Sequence, residues 1–219
     1  MRVLIGCESS GTMRRAFRAL GHDAWSCDIL PADDGSIFHI QGDAIEAAYE
    51  GRTWADGRLS TLPWDLMIAH PSCTHLAASG ARHFAAKRAD GRQQAAIEFA
   101  LKLWNAPIER IALEQPVSVL AGVLGRAHQV VHPYWFGHME QKATCFWLKN
   151  LPLLVPTDDV KAEMLLLPKN VRERVHYMPP GPDRWKLRSK TFDGLAKAAA
   201  MQWGGVVPVM RDLFDEVAA

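Results

Sequence analysis

The chain has 219 residues, of which 48% are hydrophobic and 22% charged, enough to bury one sizeable core. A formal net charge of +1 means that global electrostatics do not demand a nucleic-acid partner, so any such partner must be held by a local basic patch. No run of roughly 18 uninterrupted apolar residues exists to span a bilayer, and the start MRVLIGCESS lacks the pattern of a secretory signal, so a cytoplasmic protein with no membrane partner is expected.

In chain order, RVLIG at 2–6 reads as a short buried strand ending in glycine. MRRAFRAL at 13–20 follows with helical spacing until Gly21 stops it. Within HDAWSCDILP, residues 24–27 form a second strand closed by Asp28 and broken by Pro31. Residues 31–43 read as loop, and AIEAAYE at 44–50 as helix. Residues 64–69 form a buried strand that runs into His70 and Pro71. QQAAIEFALKLW at 93–104 has helical apolar spacing, and residues 110–113 give another strand ending at Glu114. Stretches 129–136 and 144–148 read as two late strands joined by GHMEQKA, a hairpin that puts one antiparallel strand at a sheet edge. Strands alternating with helices predict an α/β fold with a mostly parallel sheet, helices on both faces and this antiparallel edge hairpin.

From 151 to 190 the texture changes to a loop-rich, proline-dense insertion carrying the basic cluster DRWKLRSK at 183–190. LAKAAAMQW at 195–203 is helical, and VVPVMRDLFDEVAA at 206–219 reads as a helix returning to the core. One domain results, with a core at 1–150, an insertion at 151–190 and a helical return at 191–219.

In an open α/β sheet, ligands gather at the carboxyl ends of the strands. The polar residues expected there are Glu8, Ser9, Ser10 and Gly11 after the first strand, Asp28 after the second and Asp43 in the next loop. Cys73 and Glu114 follow two later strands. The four cysteines, Cys7, Cys27, Cys73 and Cys145, lack C-x-x-C spacing, so thiols are expected rather than disulfides or a metal site. An isolated cysteine after a strand is by default a packing residue. His70 and His75 flank Cys73 and invite a Cys–His hydrolase or a metal site, but no third partner stands at suitable spacing.

HPSCTHLAASG, followed some forty residues later by ALEQPVS, preceded by VLIGCESSGTMRRAFRALGHDAWSCD and closed by MQWGGVVPV, resembles the compact, phage-type members of the DNA cytosine C5-methyltransferase family. The resemblance covers most of the chain, thinly between 150 and 185, and implies a Rossmann-like class I methyltransferase fold. It implies Cys73 as nucleophile and Glu114 as the acid that holds the base. It also implies S-adenosyl-L-methionine held by Glu8, Ser9, Ser10, Gly11, Asp28, Asp43 and Pro71. Lys142 and Thr144 stand where the family holds the pyrimidine carbonyl, and Arg184, Lys186, Arg188 and Lys190, interleaved with Trp185, suit phosphates. Gln202-Trp203-Gly204 through Pro208 resembles the closing motif. The chain differs from the family in having Pro71-Ser72-Cys73 for Pro-Pro-Cys and Glu114-Gln115-Pro116 for Glu-Asn-Val. About fifty residues lie between the last two motifs, too few for a large target-recognition domain, so a partner protein supplying recognition is one expectation. Two further readings stay open: a catalytically silent module that binds the cofactor and DNA, and a pyrimidine C5-methyltransferase acting on single strands or nucleotides.

Overall fold

The computed structural model describes residues 1–50 and 64–205, together with the backbone of 52–53 and 59–60. Its strands are β1 (Arg2–Gly6), β2 (Asp23–Asp28), β3 (His39–Gln41), β4 (Arg52–Thr53), β5 (Leu59–Ser60), β6 (Leu66–Ala69), β7 (Arg110–Gln115), β8 (Gln129–Val131) and β9 (Thr144–Lys149). The helices are α1 (Thr12–Ala19), α2 (Ala44–Glu50), α3 (Phe84–Ala89), α4 (Arg92–Trp104), α5 (Lys161–Leu165), α6 (Lys169–Arg172), α7 (Arg174–Tyr177), α8 (Arg184–Ser189) and α9 (Asp193–Trp203). Seven strands form one sheet in the order β3-β2-β1-β6-β7-β9-β8, and β4 pairs with β5 separately. β3, β2, β1, β6 and β7 run parallel, and β9 is antiparallel to both β7 and β8.

Side chains two apart on a strand share a face, and here each face has its own apolar layer. Val3, Ile5, Leu66, Ile68, Ala112, Phe146 and Leu148 pack with α1 and α9 through Met13, Phe17, Leu195, Ala199 and Trp203. Leu4, Met67, Ala69, Ile111, Leu113 and Trp147 pack on the other side with α2 and α4 through Ala44, Ala47, Ala48, Ala100 and Leu103. The result is a three-layer α/β/α sandwich. None of the described helices is long and apolar enough to cross a membrane.

Three sequence expectations need correction. Residues 31–43 are not all loop, because His39–Gln41 adds a parallel edge strand to β2, with Ser26 opposite His39. The strand expected over 129–136 ends at Val131, where Pro133 opens a 3-10 turn, Pro133–Trp135. The hairpin lies at the sheet edge as expected, but its reversed strand is β9, one place in, with β8 outermost. The insertion contains four short helices, α5 to α8. The helix expected over 206–219, with Pro208, lies outside the described residues.

Gln202 and Trp203, read as part of a closing motif, anchor the insertion to α9. Gln202 exchanges hydrogen bonds with the backbone of Val155 (2.8 and 2.9 Å), and the Trp203 indole donates to the Pro152 carbonyl (3.0 Å) while packing edge-on against Phe146.

α1 is fixed at its start by a half-buried ionic cluster. The Arg14 guanidinium, 1% exposed, donates to Ser26 Oγ (2.8 Å) and pairs closely with Asp34, which also takes Arg15. Burial pushes the Asp34 carboxyl up, but the hydrogen bonds from Arg14 and Arg15 outweigh it and hold the group at about 2, below the ordinary 3.8. A depressed carboxyl contributes stability that is fully present above 3.8 and lost as pH falls through about 2. Asp34→Asn is therefore expected to lower the urea midpoint at pH 6, and the gap from wild type should close as both are titrated from pH 4 to pH 2. A gap independent of pH over that range would assign Asp34 a purely steric role.

Candidate active site

The parallel register of β6 and β7 sets Ala69 opposite Leu113, so the next residues, His70 and Glu114, emerge side by side at the carboxyl edge of the sheet. His70 Nδ1 lies 3.0 Å from Glu114 Oε2. Because β9 is reversed, its first residues reach the same edge, bringing in Lys142 and Thr144. The start of α9 closes the space. Together His70, Glu114, Lys142, Thr144, Thr191, Phe192 and Leu195 line a small, open cleft.

Cys73 is half-buried on the loop beside this cleft and does not itself line it. The loop is a tight turn in which the Cys73 carbonyl accepts from the N–H groups of Leu76 and Ala77 (3.1 and 2.9 Å). Its position is further set by Gln115, whose side-chain amide donates to the Pro71 carbonyl. Burial pushes the Cys73 thiol up, the negative charge of Glu114 pushes it further, and Lys142 and Arg188 pull it partly back. In the free protein the sulfur keeps its proton. Glu114 behaves oppositely: burial would raise its carboxyl, but the His70 hydrogen bond, the His70 ring and Lys142 bring it below the ordinary carboxylate value.

On the other side of Gly6, the expected cofactor residues occupy a second cluster. Cys7 takes a left-handed backbone, φ 61°, uncommon for a side chain with Cβ. Burial, then Asp28, Cys27 and Asp43, push the Cys7 thiol up, and burial with Asp28 and Asp43 pushes Cys27 up to about 12. Asp28 and Asp43 therefore converge on the ends of β1 and β2. Asp28 Oδ1 accepts from Leu30 N–H (2.9 Å) and Asp43 Oδ1 from Ile45 N–H (2.8 Å), while neither Oδ2 has a partner among the described residues. Gly11 is at φ 65°, and a Cβ there would overlap the Arg14 guanidinium, so only glycine fits.

Glu8 is turned inward. Its carboxylate accepts from the N–H groups of Met13 (2.7 Å) and Arg14 (3.3 Å) and from Ser10 Oγ (3.3 Å), capping α1. The Ser9 carbonyl accepts from Asp33 N–H, so the 30–36 loop lies against the glycine loop.

The four basic residues of the 183–190 cluster diverge instead of forming one stripe. Lys186 pairs with Asp33 (2.7 Å), Arg184 Nε donates to the Met178 carbonyl (2.7 Å), and Lys190 is exposed. Arg188 faces the Cys73 loop, and its carbonyl accepts from Lys142 Nζ (3.2 Å). Trp185 is 59% exposed. Sequence reasoning missed Thr191, Phe192 and Leu195 as cleft residues. It also missed the pairing of His70 with Glu114, which its place at the end of a strand could have suggested.

The chain matches no protein-family model and no curated protein. Among solved structures it is similar to a candidate DNA modification methyltransferase encoded within an E. coli prophage, with a TM-score of 0.50 and 17% identity. The likeness is one of fold. It covers 77% of this chain, which spans 56% of that neighbour's length. The mostly parallel sheet with helices on both faces is the Rossmann-like α/β architecture expected from the sequence.

Replacing the charge beside the thiol tests the site's electrostatics directly. In Glu114→Gln, alkylation of Cys73 by iodoacetamide at pH 8, followed by mass spectrometry of the peptide, is expected to run several-fold faster than in wild type, with Cys7 and Cys27 unmodified. An unchanged rate would separate the two groups.

Proposed function

We propose that the chain transfers a methyl group from S-adenosyl-L-methionine to C5 of cytosine in DNA, with Cys73 as nucleophile and Glu114 as the group that holds the base. The observation that carries this reading is geometric: Glu114 lines the cleft at the carboxyl edge of the sheet, and the Cys73 loop, tied to β7 by the Gln115–Pro71 hydrogen bond, stands beside it.

Cytosine C5 is a poor nucleophile until a thiolate adds to C6. In the free protein one proton resides on sulfur and none on the carboxyl. When the Cys73 sulfur bonds to C6, it gives up that proton and ring N3 gains one, with Glu114 as the group at N3. The net proton count is unchanged: the Glu114 carboxylate takes up the thiol's proton and shares it with N3, so charge developing on the ring is neutralised there. Lys142 and Thr144, on the opposite lip, suit the pyrimidine carbonyl. C5 then takes the methyl group, its proton passes to solvent water as the C6–sulfur bond breaks, and N3 returns its proton through Glu114 to the departing sulfur, restoring the ring, the thiol and the carboxylate.

The residues after β1 and β2 fit the cofactor. Gly11 offers a backbone without Cβ, the unpartnered Oδ2 of Asp28 suits ribose hydroxyls, and that of Asp43 suits the adenine amine. Ser9 and Ser10 stand beside them and Pro71 opens the Cys73 loop, whereas Glu8 serves the cofactor through the helix it caps. Bound there, S-adenosyl-L-methionine supplies an electrophilic methyl group on a sulfonium. Cytosine C6 is inaccessible within a duplex stack, so the target base is flipped out or already single-stranded. Arg188 lies nearest the catalytic loop for a flanking phosphate, and Lys186 must leave Asp33 before it can take one. Arg184 and Lys190 add charge farther out.

The test is covalent trapping on DNA containing 5-fluorocytosine with S-adenosyl-L-methionine present, using duplex, single-stranded and free-nucleotide substrates side by side. A denaturation-resistant adduct is expected with wild type and not with Cys73→Ser, and Glu114→Gln should lower kcat by about 10²–10⁴-fold. Methyl transfer without an adduct, or an adduct that survives in Cys73→Ser, contradicts the assignment.

A further inference from the structure

We infer that His70 is the positioning residue of Glu114: its Nδ1–H fixes one carboxylate oxygen so that the other is presented to the base. The inference rests on the methyl-transfer reading above and adds a residue that the resemblance does not supply. The geometry is specific. His70 is the first residue beyond β6, its side chain is 10% exposed, and it spans 44 positions of sequence to reach Oε2 at 3.0 Å. Glu114 Oε1 accepts no hydrogen bond among the described residues, and both side chains line the cleft.

The groups facing Glu114 from the surrounding elements are His70 from β6, Cys73 from the loop beyond it, Lys142 from the approach to β9 and Cys145 within β9. Among them only His70 is hydrogen-bonded to the carboxylate. An ionised carboxylate accepts only, so Nδ1 is the donor. The other ring nitrogen, Nε2, is buried with no partner among the described residues. Nδ1 is therefore the nitrogen that carries the proton shared with Glu114.

The choice of imidazole has a chemical consequence. The imidazole Nδ1–H is a single directed donor: it holds Oε2 in place and leaves Oε1 free to meet the N3 proton. His70 therefore acts on kcat through Glu114 and has little part in holding DNA.

Two measurements test this on the full chain. First, His70→Ala is expected to reduce kcat by roughly 10- to 100-fold, the range seen when an outer partner that orients a reacting group is removed. KM for DNA and the calorimetric affinity for S-adenosyl-L-methionine should stay within about twofold. His70→Asn, whose side-chain amide can donate from nearly the place of Nδ1, should recover most of the loss. Second, long-range ¹H–¹⁵N spectra of the imidazoles should show His70 as the Nδ1–H tautomer in wild type and as the commoner Nε2–H form in Glu114→Ala. Wild-type turnover in His70→Ala, or a parallel rise in KM with kcat unchanged, overturns the inference while leaving the methyl-transfer reading intact. If wild type transfers no methyl group, that reading fails and the tautomer spectra alone decide the pairing. An Nε2–H form in wild type overturns the inference even if His70→Ala does not fold.

Discussion

The site depends on one constraint, the in-register parallel pairing of β6 with β7. Because Ala69 faces Leu113 across the ladder, the chain must deliver His70 and Glu114 to adjacent places at the sheet edge, whatever their separation in sequence. A slip of one residue would turn either side chain to the opposite face. That register is itself held by burial on both faces: Leu66, Ile68 and Ala112 are locked under α1 and α9, and Met67, Ala69, Ile111 and Leu113 under α2 and α4. The energy that fixes the site is spread through the core beneath it, and the polar residues above add orientation.

At that edge the dominant physics is burial acting on charge. Desolvation raises both Cys73 and Glu114, and what separates them is the company each keeps. Glu114 has a hydrogen-bonded imidazole and a nearby lysine, so it ionises. Cys73 has that same ionised carboxylate as its neighbour, so it does not. Under the proposed mechanism this makes the resting sulfur unreactive until a base enters the cleft and its ring takes up the proton, which limits wasteful attack by small electrophiles. On the far side of Gly6 the same logic leaves Cys7 and Cys27 inert, their thiols raised by burial and by Asp28 and Asp43.

Much of this architecture was readable from the chain because its strands announce themselves. RVLIG and the run before His70 are apolar on both faces, as central parallel strands must be, and a polar residue directly after such a run sits at the ligand edge by geometry alone. Glu114 and Asp28 are placed by that rule. The rule is silent where position comes from tertiary packing. Thr191, Phe192 and Leu195 reach the cleft only because α9 folds back beneath β9, and nothing in their local sequence marks them. His39–Gln41 is too short for a period-two signal and becomes a strand only through its pairing with β2. The DRWKLRSK cluster suggests a single cationic face, yet a short helix splays its side chains to Asp33, to the Met178 carbonyl and toward the Cys73 loop. His70 was weighed against its sequence neighbour Cys73, whereas its partner lies one strand away.

The account's central claim is that the methyl group arrives on carbon, at C5 of cytosine. The most direct measurement is incubation of the protein with DNA and methyl-labelled S-adenosyl-L-methionine, followed by digestion to nucleosides and separation by mass. The account predicts label confined to 5-methyldeoxycytidine. Label on the exocyclic nitrogen of adenine or cytosine would contradict it, since neither product needs a cysteine or a bond to C6.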